Sequence, residues 1–296
     1  MEATKIGALG GGMQEKPLSL ISKQFAGAQE DDDVGVNSVK AFERVFQGKD
    51  NANCVVASVC AIVESDGERN ITGTGVLIGD SWILTCNHVL GSIPAMRRHY
   101  VQFGYADPPG GKYGNVAGKG VWEFDTSDHV ENFFGVSGPV DFSICKLKPY
   151  EGRIRPWPSA STFACTMPAT QARKDIPKDH ERVSIIHHLL GRPKTVCFGG
   201  NVTRIFERVD TGAISYCNVD HNLYTNGGSS GAPVFDHNLK WVSLHRADTS
   251  ETRGDYDGEA VANRSVSVLR IAQCIARRFK DEDWIRANTP ALSGFL

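Results

Sequence analysis

The stretch from Thr225 to Val234 reads T-N-G-G-S-S-G-A-P-V and places Ser230 inside a glycine-rich turn. Glycine adopts backbone conformations that other residues avoid, so such a turn can present a side chain at a sharp bend. Gly228, two residues before Ser230, lets the chain curl so that the backbone N–H groups of Gly228 and Ser230 converge. This pattern predicts a nucleophilic serine beside a pair of amides that stabilise an oxyanion.

Two apolar segments upstream carry the other groups that such a serine needs. The segment W-I-L-T-C-N-H-V-L places His88 just after a strand-like run, and V-D-F-S-I-C-K-L places Asp141 within another. A serine hydroxyl is a weak nucleophile near neutral pH, so an imidazole has to accept its proton while a buried carboxylate holds that imidazole in one tautomer. We therefore predict a triad of His88, Asp141 and Ser230, with the amides of Gly228 and Ser230 as the oxyanion hole.

The order of these residues along the chain is His, Asp, Ser. That is the order of the chymotrypsin type, whereas subtilisins and α/β-hydrolases order the triad differently. The order indicates a serine endopeptidase that acts on a protein or peptide through an acyl-enzyme. A catalytically silent binding module and a partner-activated peptidase remain the alternatives. An esterase or lipase is disfavoured, because it would show G-x-S-x-G with the serine ahead of the other two residues.

Three segments of the chain resemble the triad blocks of trypsin-like, chymotrypsin-fold serine peptidases. They read G-T-G-V-L-I-G-D-S-W-I-L-T-C-N-H-V-L, P-V-D-F-S-I-C-K-L and Y-T-N-G-G-S-S-G-A-P-V-F-D. The likeness is nearest to the glutamyl-endopeptidase branch and to related intracellular domains, and it covers about residues 51–287. It implies two six-stranded antiparallel β-barrels, with the active site in the cleft between them. His88 and Asp141 would come from the first barrel and Ser230 from the second.

The composition also favours a mainly β fold. The chain has 31 glycines, and short apolar runs rich in Val and Ile alternate with Gly, Pro, Asn and Asp, which is typical of strands joined by turns. The predicted strands span residues 54–63, 75–77, 82–85, 142–147, 183–186, 232–235 and 241–244.

We predict one peptidase domain with extensions at both ends. Barrel one covers about 51–150 and barrel two about 181–267, with a crossover at 150–180. Residues 1–50 form a flexible extension, because a glycine-rich start and an acidic run bury little apolar surface. A propeptide, a docking arm for a regulatory partner and a solvated tail remain open roles for it.

The end of the chain shows helical rather than strand periodicity. Apolar residues from Ile271 to Trp284 recur at helical spacing, which predicts an α-helix over about 268–287 followed by a tail, 288–296. The apolar stripe favours a helix packed on the second barrel. Basic residues beside it leave a membrane-surface or partner helix open.

The resemblance also implies a substrate pocket. Tyr224 stands six residues before Ser230, where trypsins carry an aspartate for basic side chains. Thr225 and His245 match the hydroxyl and the imidazole with which glutamyl endopeptidases hold a substrate carboxylate, and Arg246 adds positive charge nearby. These residues predict a preference for Glu or Asp before the scissile bond.

Three positions depart from the patterns of those relatives. Asp248 stands where they usually have glycine and could repel an acidic substrate. Arg246 stands where many of them place a small hydroxyl residue near the triad aspartate. Ser229 replaces the aspartate that pairs with a newly released amino terminus in secreted enzymes. A hydroxyl cannot form that ion pair, so we expect an oxyanion hole that forms without cleavage or is ordered by a partner or substrate.

Charge and cysteine usage narrow the remaining function classes. A net charge of −2 and a pI of about 6.5 give no basic excess for a nucleic-acid partner. The triad chemistry needs no cofactor or metal, and the eight cysteines show no C-x-x-C spacing for a zinc site.

The chain shows no signal-peptide core and no apolar stretch of about 18 residues. We therefore expect no integral membrane segment and a cytoplasmic or otherwise intracellular protein with free thiols. Export by a non-standard route and the oligomeric state stay open.

Overall fold

Two antiparallel β-sheets dominate this computed structural model. It describes residues 36–38, 51–65, 70–105, 121–135, 140–149, 166–168, 171–208, 216–248 and 263–295, all within one compact unit, Gly35–Leu296. The predicted extension at residues 1–50 lies outside the described residues apart from 36–38. Most of the predicted crossover at 150–180 also lies outside them up to residue 170.

The strands are β1 (Val36–Ser38), β2 (Val59–Glu64), β3 (Asn70–Leu77), β4 (Trp82–Thr85), β5 (His99–Gln102), β6 (Val121–Glu123), β7 (Phe133–Phe134), β8 (Ser143–Lys146), β9 (Arg182–His187), β10 (Thr195–Arg208), β11 (Tyr216–His221), β12 (Pro233–Asp236), β13 (Trp241–Asp248) and β14 (Asn263–Ser267). The α-helices are α1 (Ala52–Ser58), α2 (Ile93–Arg97), α3 (Val268–Phe279) and α4 (Glu282–Asn288), and 3₁₀ helices span Leu189–Gly191 and Pro290–Phe295.

Six strands of the second sheet close into a barrel. They follow the order β10-β11-β14-β13-β12-β9, and β9 pairs back onto β10. The short strand β1 adds to β10 as a seventh strand, with Val36 opposite Cys197. The closed barrel confirms the prediction for this half of the chain.

The first sheet follows the order β6-β5-β2-β3-β4-β8-β7. Within the described residues, one isolated antiparallel bridge, Phe124 to Leu147, joins the end of β6 to the end of β8, the strand beside the terminal β7. Two backbone hydrogen bonds flank the bridge, from Asp125 N to Lys146 O at 2.8 Å and from Lys148 N to Glu123 O at 2.9 Å. The first half of the fold is therefore a curved sheet with much weaker closure than the second barrel.

Continuous apolar runs in the sequence reflect strands that are buried on both faces. Ile185 of β9 lies in the core cluster inside the second barrel. Ile186, the next residue, lies in the larger cluster that the barrel shares with the first sheet and α3. Successive strand residues point to opposite faces, so a strand between two apolar layers has no polar face.

The predicted strand at 54–63 is wrong in its first half. Residues Ala52–Ser58 form α1, and the strand β2 begins at Val59. Val55 and Ser58, one helical turn apart, are the buried residues of α1, and the Ser58 hydroxyl donates to Val55 O at 2.8 Å. A short apolar run without polar alternation fits a buried helix as well as a buried strand.

The predicted C-terminal helix is confirmed, but it is divided in two. Lys280 has a left-handed φ of 50° and ends α3, and the Asp281 carboxylate caps α4 by accepting the Trp284 N–H at 3.0 Å. Trp284 stacks on Phe279 with ring centroids 3.9 Å apart and meets Trp82 of the first sheet edge-on. This packing buries the apolar stripe against both halves of the fold.

The last residues, expected as a tail over 288–296, continue this packing. Ala291 and Leu292, in the final 3₁₀ helix, are buried, and Ala291 N donates to Ile78 O at 3.2 Å. Within the described residues, no helix has both the length and the apolar character needed to span a membrane. The seven cysteines described are free thiols in this structure.

Lys194 connects the second barrel to the first sheet. Its side chain is buried, at 3% exposure, and its ammonium donates to Val56 O of α1 at 2.7 Å. Its backbone N–H donates to Tyr105 O, just beyond β5, at 2.8 Å. Burial lowers the pKa of Lys194 from 10.5 to about 8, because the interior disfavours the charged amine.

This pKa makes stability depend on alkaline pH. Between pH 8 and 10.5 the folded chain has released the Lys194 proton while the unfolded chain retains it, so stability rises with pH. Relative to Lys194→Met, the wild type is expected to gain about 3 kcal/mol in free energy of unfolding across this window. Urea unfolding at pH 7 and pH 10 measures the difference, and Lys148→Met at an exposed lysine is the control. Identical pH dependence in wild type and Lys194→Met would contradict the assignment.

Candidate functional site

His88 and Asp141 come together because β4 and β8 are paired. Thr85, the last residue of β4, lies opposite Ser143, the first residue of β8, so the segments beyond these ends meet. His88 Nδ1 lies 2.6 Å from Asp141 Oδ2, and the His88 backbone N–H donates to Asp141 Oδ1 at 3.0 Å. Both carboxylate oxygens of Asp141 therefore contact His88, which fixes the orientation of the imidazole ring. The other ring nitrogen, Nε2, makes no contact with Asp141.

The two side chains differ sharply in exposure. The Asp141 side chain is 8% exposed and the His88 side chain 45%. Burial alone would raise the pKa of Asp141, but the hydrogen bonds and charge of His88, together with the charge of Arg246, outweigh burial and lower it. The carboxylate is therefore ionised at neutral pH and can stabilise an imidazolium.

Cys86 lies behind this pair. Its Sγ and ligand atoms of His88 and Asp141 all lie within 4.8 Å of one another. Burial raises the pKa of Cys86 well above its usual value, and the thiol donates to His245 O at 3.2 Å. Metal ligation needs a thiolate, and both Asp141 oxygens already contact His88. The three groups therefore fit a proton-transfer site better than a metal centre.

The loop before β12 depends on two glycines. Gly228 has φ +85° and Gly231 has φ +88°. A Cβ on Gly228 would lie 2.2 Å from His188 O, and one on Gly231 would lie 2.0 Å from Thr74 O. Both positions require left-handed backbone and close approach to another main chain, which only glycine allows without strain.

Ser230 lies in this loop where it meets the first sheet. Its carbonyl accepts the Thr74 N–H at 2.8 Å, and its hydroxyl donates to Arg246 O at 3.4 Å. Within the described residues, no hydrogen bond joins the Ser230 hydroxyl to His88. Catalytic hydrogen bonds are often long in ligand-free enzymes and tighten when substrate binds.

Two of the predicted pocket residues contact the second barrel. The Thr225 hydroxyl donates to Asn263 Oδ1 at 2.6 Å. Tyr224 is half-buried and packs on the cluster inside the barrel.

The other two pocket residues lie on β13. His245 is buried, and burial lowers its pKa well below its usual value, with smaller contributions from His221 and His187. Arg246 follows it, and burial also lowers the pKa of this guanidinium, opposed by the charge of Asp141. His245 is therefore neutral, and Arg246 places its charge beside the predicted triad carboxylate.

Sequence reasoning missed three buried residues that surround the serine loop. His187 Nδ1 contacts the Ser229 hydroxyl at 2.9 Å. The Thr74 hydroxyl donates to Gly228 O at 2.7 Å. His221 lies against His245 with ring centroids 5.4 Å apart. The sequence indicated these residues only through the adjacent histidines 187 and 188 in an apolar run. Such a pattern predicts burial but does not identify a hydrogen-bond partner.

The fold built from these two halves is the chymotrypsin-like double barrel. It superposes on the inactive form of Rv3671c from M. tuberculosis H37Rv with a TM-score of 0.50 and 15% identity, covering 82% of this chain and 96% of that chain. It also superposes on the MamO protease domain from Magnetospirillum magneticum with a TM-score of 0.50 and 14% identity, covering 77% and 98%. At such identities the likeness defines the fold alone.

The sequence itself defines the family. The family model described as "Trypsin-like peptidase domain" matches residues 73–244, and the chain belongs to this trypsin-like peptidase family. A comparison with curated protein sequences gives no significant match. The matched range includes all three predicted triad residues.

The crowded environment of Gly228 gives a direct test of the loop. Gly228→Ala is expected to destabilise the fold by about 1 to 3 kcal/mol, because alanine is strained at positive φ and its Cβ would collide with His188 O. Gly227→Ala is the matched control, since its Cβ would meet no atom within 4 Å. Thermal and urea unfolding compare the two. Equal stability of both variants would show that the loop is not held as described.

Proposed function

We propose that the protein is a serine endopeptidase in which Ser230 attacks the peptide carbonyl, His88 transfers protons and Asp141 orients His88. The observation that carries this proposal is the pair of contacts from His88 to the two oxygens of buried Asp141, at 2.6 and 3.0 Å. Membership of a peptidase family and the glycine-framed loop around Ser230 support the same assignment.

In the proposed reaction, His88 Nε2 accepts the Ser230 proton as Oγ bonds to the carbonyl carbon. The Asp141 carboxylate stabilises the imidazolium. When the tetrahedral intermediate collapses, the C–N bond breaks and the imidazolium gives its proton to the departing amine. Water then attacks the acyl-enzyme with His88 again as the base, releasing the carboxylic acid and restoring the Ser230 hydroxyl.

The tetrahedral intermediate also carries a negatively charged oxygen. The Gly228 and Ser230 amides are the proposed donors to it. The positive φ of Gly228 supports this role, because the chain must turn sharply for alternate amides to face one point. Such donors act most strongly when they are fixed before substrate arrives.

Variants at the triad test the proposal. Ser230→Ala and His88→Ala should each reduce kcat for peptide hydrolysis by a factor on the order of 10⁵ to 10⁶, and Asp141→Asn by about 10⁴. The measurements are cleavage of a diverse peptide library, mapped by mass spectrometry, and labelling of the nucleophile by a fluorophosphonate. His237→Ala, at an exposed histidine in the turn after β12, should retain activity.

Labelling at Ser230 without peptide cleavage would indicate a peptidase that needs a partner. A folded wild type that neither cleaves nor reacts with the fluorophosphonate would overturn the proposal in favour of a binding module.

A preference for Glu or Asp before the scissile bond is part of the proposal. His245 is 3% exposed and its Nδ1 has no hydrogen-bond partner within the described residues, so its ring would have to become accessible before it could donate to a substrate carboxylate. Such a carboxylate would raise the His245 pKa from its lowered value, since an opposite charge favours the imidazolium. The Thr225 hydroxyl would have to exchange its bond to Asn263 for the substrate. Arg246 adds positive charge.

Paired substrates that differ only in Glu or Gln before the scissile bond test this preference. We expect wild type to favour Glu and Thr225→Val to reduce the Glu-to-Gln ratio of kcat/KM by about 10- to 100-fold, the cost of one hydrogen bond to a charged group. Thr225→Ser keeps the hydroxyl and should retain the ratio. Cleavage mainly after Lys or Arg would contradict the acidic preference while leaving the peptidase assignment intact.

A further inference from the structure

A hydrogen bond inside the second barrel holds the residue next to the proposed nucleophile. His187, at the end of β9, places Nδ1 2.9 Å from the Ser229 hydroxyl, and neither residue is exposed to solvent. The same hydroxyl accepts the Asn226 N–H at 3.2 Å, and Ser229 N donates back to Asn226 O at 3.0 Å. One buried side chain thus closes the turn from Asn226 to Ser229 and fixes it to β9.

Contacts from Leu190, just after β9, and from Thr74 of β3 fix the adjacent peptide units. Gly227 O accepts the Leu190 N–H at 2.7 Å, and Gly228 O accepts the Thr74 hydroxyl at 2.7 Å. In a trans peptide the C=O and the N–H point in opposite directions. Holding the Gly227 carbonyl on Leu190 therefore turns the Gly228 N–H away from Leu190, to the other side of the loop.

We propose that His187 is a positioning residue that holds the loop 226–231 in its working shape through Ser229, so that the Gly228 amide is set before substrate binds. This inference rests on the proposed function, because the working shape is that of an oxyanion hole. His187 touches no reacting atom and acts through the loop alone. Its contact joins side chains from two segments of one barrel, so no cleavage of the chain is needed to make it.

The contact is made between neutral groups. Burial lowers the pKa of His187 from 6.5 to about 3, so the imidazole is uncharged near neutral pH and bonds to a hydroxyl rather than to a carboxylate. A buried ion pair would have to offset the desolvation of two charges. A neutral hydrogen bond avoids this cost and does not change across the pH range of an ordinary assay.

Four variants test this inference. His187→Phe keeps a ring but removes the nitrogen, Ser229→Ala removes the hydroxyl, and His187→Asn keeps a polar atom near the place of Nδ1. His99→Phe is the matched control, because it makes the same change at a buried histidine of β5 whose Nδ1 contacts Ala95 O at 2.7 Å, outside the serine loop. Circular dichroism and thermal unfolding first establish that each variant folds.

The first measurement is steady-state kinetics on a peptide substrate. We expect His187→Phe and Ser229→Ala each to reduce kcat by about 100-fold, the cost of a misplacement of about 1 Å at the reacting centre, with a much smaller change in KM. The double variant should lose little more than either single variant, since both remove one interaction. His187→Asn should recover about tenfold of the loss, and His99→Phe should keep the wild-type kcat.

The second measurement does not depend on activity. Hydrogen exchange of the Asn226 and Ser229 amides, which are bonded within the loop, should be faster in His187→Phe and Ser229→Ala but not in His99→Phe. Unchanged exchange in the loop, or a kcat loss in His99→Phe equal to that in His187→Phe, would overturn the role of His187. If wild type failed to react with a fluorophosphonate at Ser230, the proposed function would fail, and the exchange comparison would still decide whether His187 holds the loop.

Discussion

The hydrogen bonds of Thr74, a fully buried residue of β3, connect the two halves of the fold at the site. Its N–H donates to Ser230 O and its hydroxyl donates to Gly228 O, while the same hydroxyl accepts the His188 N–H at 3.1 Å. Its carbonyl accepts the hydroxyl of Thr85, the last residue before the His88 turn, at 2.8 Å. These bonds connect the serine loop directly to β3 and, through Thr85, to the strand that leads to His88. The geometry of the site therefore depends on the contacts between the two halves of the fold more than on either half alone.

The sequence predicted those parts of the structure that depend on local pattern. Glycines located the serine loop, and apolar runs located seven of the fourteen strands described, because both follow from backbone preference and burial. Chain order linked His88, Asp141 and the serine, although their contacts could not be read from it. The sequence could not reveal the hydrogen bond of His187, because it links β9 to a loop far along the chain. The helix α1 and the break between α3 and α4 at Lys280 were missed for another reason: tertiary packing decides between conformations that the local sequence allows equally.

Buried charges around the site balance one another. Arg264 of β14 donates to the Asp220 carboxylate of β11 through Nε at 2.9 Å and through Nη2 at 3.2 Å. Both side chains are almost wholly buried. The charges of Arg264, Asp220 and Asp141 all contribute to the pKa of Arg246. The net charge of these two guanidinium groups and two carboxylates is therefore zero when His88 is neutral. A proton taken up by His88 would then be the one unbalanced charge in this set, and Asp141 is the nearest group to stabilise it.

The buried imidazoles also bear on the conditions that the fold tolerates. Burial lowers the pKa values of His187, His188 and His221 from 6.5 to about 3 and that of His245 well below 6.5. Their neutral forms support the fold fully above pH 6.5, and this support is lost as the pH falls toward 3, because the unfolded chain then binds up to four protons that the folded chain excludes. In mild acid, proton uptake by the unfolded chain becomes a driving force for denaturation. The histidines buried in the core therefore contribute to the acid limit of this protein.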